Sequence, residues 1–212
     1  MVVAMARPRL HDLDALLDAA EELLAEGGEP ALTIRAIAER AGAPSGSLYH
    51  AFGSRAEVLG RMWLRAARRF LVVQRAAIDE HLSGDAPGWE AAVEATVAAA
   101  AALDLLRRDA PASARVLIEH RREALIADGL SEPLTAELLD LDRELLDVLR
   151  RLAAALWGRG DREAIETVAV CVVDLPSSLL DGRRERRIDP LRALRAAVVG
   201  VLGELPGPTT RG

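Results

Sequence analysis

Apolar side chains recur three and four residues apart along almost the whole chain, and that spacing limits its possible folds more than any other feature. The period matches the turn of an α-helix and lays the apolar groups along one face of it. Leu13, Leu16, Leu17, Ala20 and Leu24 form the stripe of a first helix, which should stop at Gly27-Gly28. Thr33 is placed to cap a short helix over about 34–41, with Ile34, Ile37 and Ala38 inward and Gly42 ending it. Pro44 suits the first turn of a third short helix, where its missing N–H would be unpaired anyway. Ser54-Arg55-Ala56-Glu57 has the form of a capping box and opens a long fourth helix to about His81. Ser83 to Gly88 reads as a loop.

Further helices are expected at about Trp89–Arg107, Ala112–Ala127, Glu132–Trp157, Asp161–Leu180 and Asp189–Leu205, punctuated by Pro111, Gly129, Gly158, Gly160 and Gly182. Val168 to Val173 is β-branched enough to pass for a strand. It is read as helix, because no other segment offers a partner strand and a lone strand leaves its backbone groups unpaired. The fold class is therefore all-α, with about nine helices and a tail over 206–212 expected to be disordered.

What the chain lacks narrows the chemistry. It contains no lysine and no asparagine, and its one cysteine is Cys171. A P-loop lysine, a Schiff-base lysine and an N-glycosylation site are thereby excluded. A lone cysteine excludes an internal disulfide and any multi-cysteine metal site. His11, His50, His81 and His120 show no metal spacing, and no cofactor or metal is implied. With aromatics at 3%, the core must be built from Ala, Leu and Val, and Cys171 in its apolar run reads as an inert core thiol. The N-terminus lacks the basic-then-apolar order of a secretory signal, and no apolar run approaches the ~20 residues of a membrane helix. A cytoplasmic chain with no membrane partner is expected.

Residues 33–52 carry the chemistry. Two short helices joined by a tight glycine-containing turn make a helix-turn-helix. Ile34, Ile37, Ala38 and Leu48 lock the pair together, leaving the outer face of the second helix, Ala43 to His50, small and polar enough to enter a major groove. Ser45, Ser47, Tyr49 and His50 are able to donate to phosphates or base edges, and Gly46 permits close approach. A half-buried packing role remains the other reading of Tyr49, and a surface ion pair the other reading of Arg35.

The wording around this segment is specific. Leu17-Asp-Ala-Ala20, Leu24-Ala-Glu-Gly27, Thr33-Ile-Arg-Ala-Ile-Ala-Glu-Arg-Ala-Gly42, Gly46-Ser-Leu-Tyr-His50-Ala-Phe52 and Ser54-Arg55 closely resemble the N-terminal domain of TetR-family transcriptional regulators. The resemblance covers roughly residues 9–69 and implies a three-helix DNA-binding head there. It further implies an effector-binding and dimerisation helical bundle over 70–205, a homodimer on double-stranded operator DNA, and release by a small-molecule effector. The implied DNA contacts are Thr33, Arg35, Ala43, Ser45, Gly46, Ser47, Tyr49, His50 and Arg55. Phe52 resembles the aromatic that packs the head on the fourth helix. Members often carry lysine at the positions of Ser45 and Arg55, an aromatic at Ala51 and proline at Gly53. Arginine at 55 keeps the charge and can still reach a phosphate.

The charge count is thin for a DNA-binding protein. Net charge is −6 overall, but over residues 31–55 Arg35, Arg40 and Arg55 face only Glu39. That small basic island predicts a shallow salt dependence of DNA binding. Arg61, Arg65, Arg68, Arg69 and Arg75 form a run without intervening acids, read either as a solvated, ion-paired face or as an anion site. In the bundle, Trp63, Phe70, Trp89, Arg115, His120 and Trp157 are the candidate effector lining, with plain core as the competing reading. Ile165, Val168, Val172 and Leu175, then Leu191, Leu194, Val198, Val201 and Leu205, make two stripes expected at a four-helix dimer seam, and Pro176 should kink the first. A helical ligand-binding or scaffolding protein with a degenerate head is the alternative. No nucleophile–base pair supports an enzyme.

Overall fold

The structure, a computed structural model, describes residues 10–44, 46, 48, 52–84, 88–180 and 188–204. Among them there is no β-strand, and the chain is all-α. Its helices are α1 (Leu10–Gly27), α2 (Ile34–Ala41), α3 (Arg55–Leu82), α4 (Trp89–Asp109), α5 (Pro111–Glu119), α6 (Arg122–Ala127), α7 (Glu132–Trp157), α8 (Arg162–Ala169), α9 (Leu175–Leu179) and α10 (Pro190–Glu204). Gly46, Leu48 and Phe52, between α2 and α3, are also helical. No helix among the described residues is long and apolar enough to cross a membrane.

The chain groups into two compact units, one of residues 1–66 with 115–138, the other of 67–114 with 139–212. In the first, the α1 stripe of Leu16, Leu17, Ala20 and Leu24 packs with Ile34, Ile37 and Ala38 of α2 and with Leu48 and Phe52. Val58, Leu59, Met62 and Ala66 of α3 close the same core, and Val116 and Leu125 complete it from far along the chain. Gly60 marks how tightly this unit is built. A Cβ there would stand 2.9 Å from Leu134 and 3.0 Å from Leu130, too close for either side chain to stay in place.

The second unit has a core of small side chains. Ala92, Ala95, Thr96, Ala99, Ala102 and Leu106 share the buried face of α4. Leu194, Val198 and Leu202 are the buried residues of α10, which packs against α4. Arg195 of α10 fastens the pair through both carboxylate oxygens of Glu94, one at 2.7 Å. That bond holds the Glu94 carboxyl below its ordinary range. Alanine lets backbones approach closely enough for the fully buried Gln74 amide to reach the Ala99 carbonyl at 3.2 Å.

Three local expectations are corrected. The helix expected over 112–127 breaks at His120-Arg121, where Arg121 is extended and the indole N–H of Trp63 donates to the His120 carbonyl at 3.1 Å. The segment expected over 161–180 is helical from Arg162 to Leu179 but not uniform. Its turn Val170–Asp174 is π-helical and leads into α9 with Pro176 at its start. Proline offers no N–H and crowds the carbonyl four residues back, and the wider turn accommodates both. The capping box is only half formed. Glu57 N–H donates to Ser54 Oγ at 3.1 Å, whereas the Ser54 N–H turns to the Phe52 carbonyl.

Candidate nucleic-acid interface

Helix α2 begins at Thr33, whose backbone is extended and whose Oγ1 accepts the Ala36 N–H at 3.1 Å. Its hydroxyl proton stays available, and the residue is exposed beside the free N–H groups of the first turn. Helix α2 ends in a Schellman turn. Gly42 takes a left-handed conformation (φ 63°), the Ala43 N–H reaches the Ala38 carbonyl at 2.9 Å, and the Gly42 N–H reaches that of Glu39. This turn redirects the chain into the helical stretch that buries Leu48 and Phe52. Leu48 and Phe52 sit four residues apart, the spacing of one helical face.

On that scaffold the expected DNA contacts distribute as follows. Thr33, Arg35, Gly46 and Arg55 are exposed and Ala43 is half-buried. A Cβ on Gly46 would meet nothing within 4 Å among the described residues. Ser45, Ser47, Tyr49 and His50 lie outside the described residues, as do the tail over 206–212 and Leu205.

The basic island is less free than the charge count suggests. Arg40 is gripped by two α1 carboxylates, Glu26 at 2.6 and 3.0 Å and Glu22 at 3.1 Å. The Arg40 hydrogen bond holds the Glu26 carboxyl below its ordinary range. Arg55 donates to Glu29, at 2.7 Å to the carboxylate and 2.7 Å to the backbone carbonyl. Arg35 stays exposed on the first turn of α2. Counting charges along the chain misses these pairs because they cross between elements. Glu22 and Glu26, one helical turn apart on α1, are the available signal for the Arg40 clamp.

Arg61, Arg65 and Arg75 of the run on α3 are ion-paired. Arg61 meets Glu57 at 3.2 Å, Arg65 meets Asp18 and Glu21 at 2.8 Å each, and Arg75 meets Glu144 at 2.9 Å. Arg69 donates to the buried Ser113 hydroxyl at 2.8 Å. The sequence pattern gives Glu57 only a capping role, yet it is a buried carboxylate that accepts from Ser131 N–H at 3.0 Å and Ser131 Oγ at 2.7 Å. It thereby sits at the positive N-terminal end of α7.

The six effector candidates fall into two groups. Trp63, Arg115 and His120 lie in the first unit, where Arg115 pairs with Glu119 at 2.8 Å and donates to the Ala25 carbonyl. The buried Nε2 of His120 has no hydrogen-bond partner among the described residues. Phe70, Trp89 and Trp157 lie in the second unit, where the Trp89 and Trp157 rings stand 6.1 Å apart at a 56° tilt. Among the dimer candidates, Val168, Val172, Leu194 and Val198 are buried within their own chain, and Ile165, Leu175, Leu191 and Val201 are half-buried. The faces these helices leave open carry Val170 and Val199 instead, with Gly200 and Gly203 facing empty space.

Residues 16–62 match the family model of the tetR family of bacterial regulatory proteins. The match runs from Leu16 within α1 through α2 and the segment after it to the first turns of α3. No curated protein matches the chain. Among solved structures, a tetR-family regulatory protein from Rhodococcus RHA1 superposes with a TM-score of 0.62 at 19% identity, over 94% of this chain and 99% of that one. The multidrug binding protein EbrR, complexed with imidazole, gives 0.61 at 20% identity over 97% and 100%. The TetR-family transcriptional regulator PfmR from Thermus thermophilus gives 0.55 at 20% identity over 90% and 98%. These likenesses establish a shared fold.

Proposed function

We propose that this chain, whose residues 16–62 match the family model of tetR-family regulatory proteins, is a cytoplasmic homodimeric repressor, released from its operator by a small molecule. The observation that carries the reading is local. Within the matched segment, Thr33 caps α2, Gly42 turns the chain left-handed, and Leu48 and Phe52 anchor the following helical stretch. The recognition surface is assigned to the outer residues of the segment from Ala43 to His50, in which Leu48 is buried. Two such surfaces in a dimer would enter major grooves about 34 Å apart. Ser45, Gly46, Ser47, Tyr49 and His50 would face base edges and phosphates, with Thr33, Arg35 and Arg55 on the backbone.

Dimerisation is assigned to α8, α9 and α10. Part of the apolar stripe on these helices fills the chain's own core, so the seam is assigned to their open side, around Val170, Val199, Gly200 and Gly203, with Ile165, Leu175, Leu191 and Val201 at its margin. Small residues on α10 suit close helix approach. The effector is assigned to the helical body, a reading supported by the fold shared with the multidrug-binding EbrR. Trp89, Trp157 and Phe70 are the first group to probe, and Trp63, Arg115 and His120 the second. Effector binding would act by its differential affinity for DNA-competent and DNA-incompetent states.

The deciding experiment is selection from a random duplex library with the purified chain. Enrichment of a two-fold symmetric sequence, lost in a Val199→Glu variant that runs as a monomer, supports the reading. Absence of any enriched sequence overturns it. The ion pairs on Arg40 and Arg55 favour one rival, a helical ligand-binding protein with a degenerate head. That rival predicts ligands in a thermal-shift screen without DNA selection.

A further inference from the structure

We propose that Glu29 sets how tightly this protein holds DNA, by partly cancelling the charge that Arg55 presents to a phosphate. The inference rests on the DNA-binding reading above. One terminal nitrogen of Arg55 donates to both the backbone carbonyl and the carboxylate of Glu29, at 2.7 Å each. A guanidinium has five N–H groups, two on each terminal nitrogen. Glu29 therefore occupies one nitrogen completely, and the three N–H groups on the other terminal nitrogen and Nε remain for an anion.

The two acceptors act differently. The carbonyl is neutral and fixes where the guanidinium points. Glu29 opens the 3₁₀ turn Glu29–Ala31, and Pro30 restricts the backbone there, so this anchor is rigid. The carboxylate adds a full negative charge beside the place where a phosphate would sit. Carboxylate and phosphate suit the same planar fork, so they compete for it. Both side chains are about half exposed, at 47% and 52%, and water and salt screen the pair. The carboxylate consequently weakens the hold on a phosphate at the open edge of the fork, and Glu29 tunes affinity without blocking it. Arg40 differs. Two carboxylates hold it, its side chain is 32% exposed, and it works as a strut between α1 and α2.

Glu29→Gln separates the two acceptors, since it keeps the carbonyl and an acceptor oxygen but removes the charge. The probe is the tightest duplex recovered from the random library, with binding of the full-length chain followed by fluorescence anisotropy across about 50–200 mM salt. Glu29→Gln should tighten binding roughly threefold per head, about tenfold for two heads. The log–log salt slope should steepen by about 1 to 2. In an Arg55→Ala background the gain should shrink below about twofold, because the carboxylate then has no guanidinium to act through. An equal gain in both backgrounds, or none in either, overturns the proposal. Helical circular dichroism and melting temperature unchanged in Glu29→Gln tie the effect to binding. If the wild-type chain selects no duplex, the DNA-binding reading falls and takes this inference with it. A wild-type chain that binds while Glu29→Gln is neutral removes the inference alone.

Discussion

Ser131 and Glu57 illustrate how much a single residue decides in this protein. The Ser131 hydroxyl donates to the Glu57 carboxylate at 2.7 Å and also faces the Leu134 N–H at 3.4 Å, so it both caps α7 and satisfies a buried charge. Ser131→Ala should therefore cost about 1–3 kcal/mol of stability in urea unfolding, more than an ordinary surface cap. Sequence patterning has no access to this bond, because its partners are 74 residues apart and Glu57 already satisfies a local capping rule. Cys171 is legible by contrast, since an apolar β-branched run around a lone cysteine indicates burial. Its thiol is fully buried, and burial pushes its pKa up to about 12. The native chain should thus resist iodoacetamide near neutral pH and label only in denaturant, as mass spectrometry would record.

Helices and their ends follow from the sequence where the signal is local. The stripe of α1, the Thr33 cap and the Gly42 stop all depend on residues within one or two turns. The break at His120 and the π turn before Pro176 depend on what the backbone meets across the fold, and a one-dimensional pattern does not contain that. Gly42 gives a test at this scale. A Cβ there would meet nothing within 4 Å, so any cost is purely that of the left-handed backbone. Gly42→Ala should lower stability by about 1–2 kcal/mol, and under the proposed function it should weaken DNA binding as well. A second test concerns acid. The Glu26 and Glu94 carboxyls are held below 4.5 by hydrogen bonds from Arg40 and Arg195. The unfolded chain therefore takes up protons first, and the stabilisation is complete above pH 4.5 and lost as pH falls through the lowered folded values. Glu94→Gln should be less stable at neutral pH, by at most about 1 kcal/mol, with the difference vanishing in acid.

At the scale of the whole molecule, the first unit is not a continuous stretch of chain. Val116 and Leu125 belong to the same buried cluster as Leu16, Ile37 and Met62, and Leu117 and Leu130 pack against it. A fragment ending at residue 69 would leave the α3 side of that cluster uncovered. Such a fragment should show reduced helicity and no cooperative melting transition, whereas addition of the 115–138 peptide in trans should restore both. The same discontinuity bears on biosynthesis. The matched segment at residues 16–62 leaves the ribosome early, yet the core it belongs to cannot close until residue 125 has emerged. At about 5–20 residues per second that delay lasts several seconds. During it the nascent chain carries an unfinished first unit, and any function that needs this unit folded has to wait until the ribosome has moved well beyond the codons of the matched segment itself.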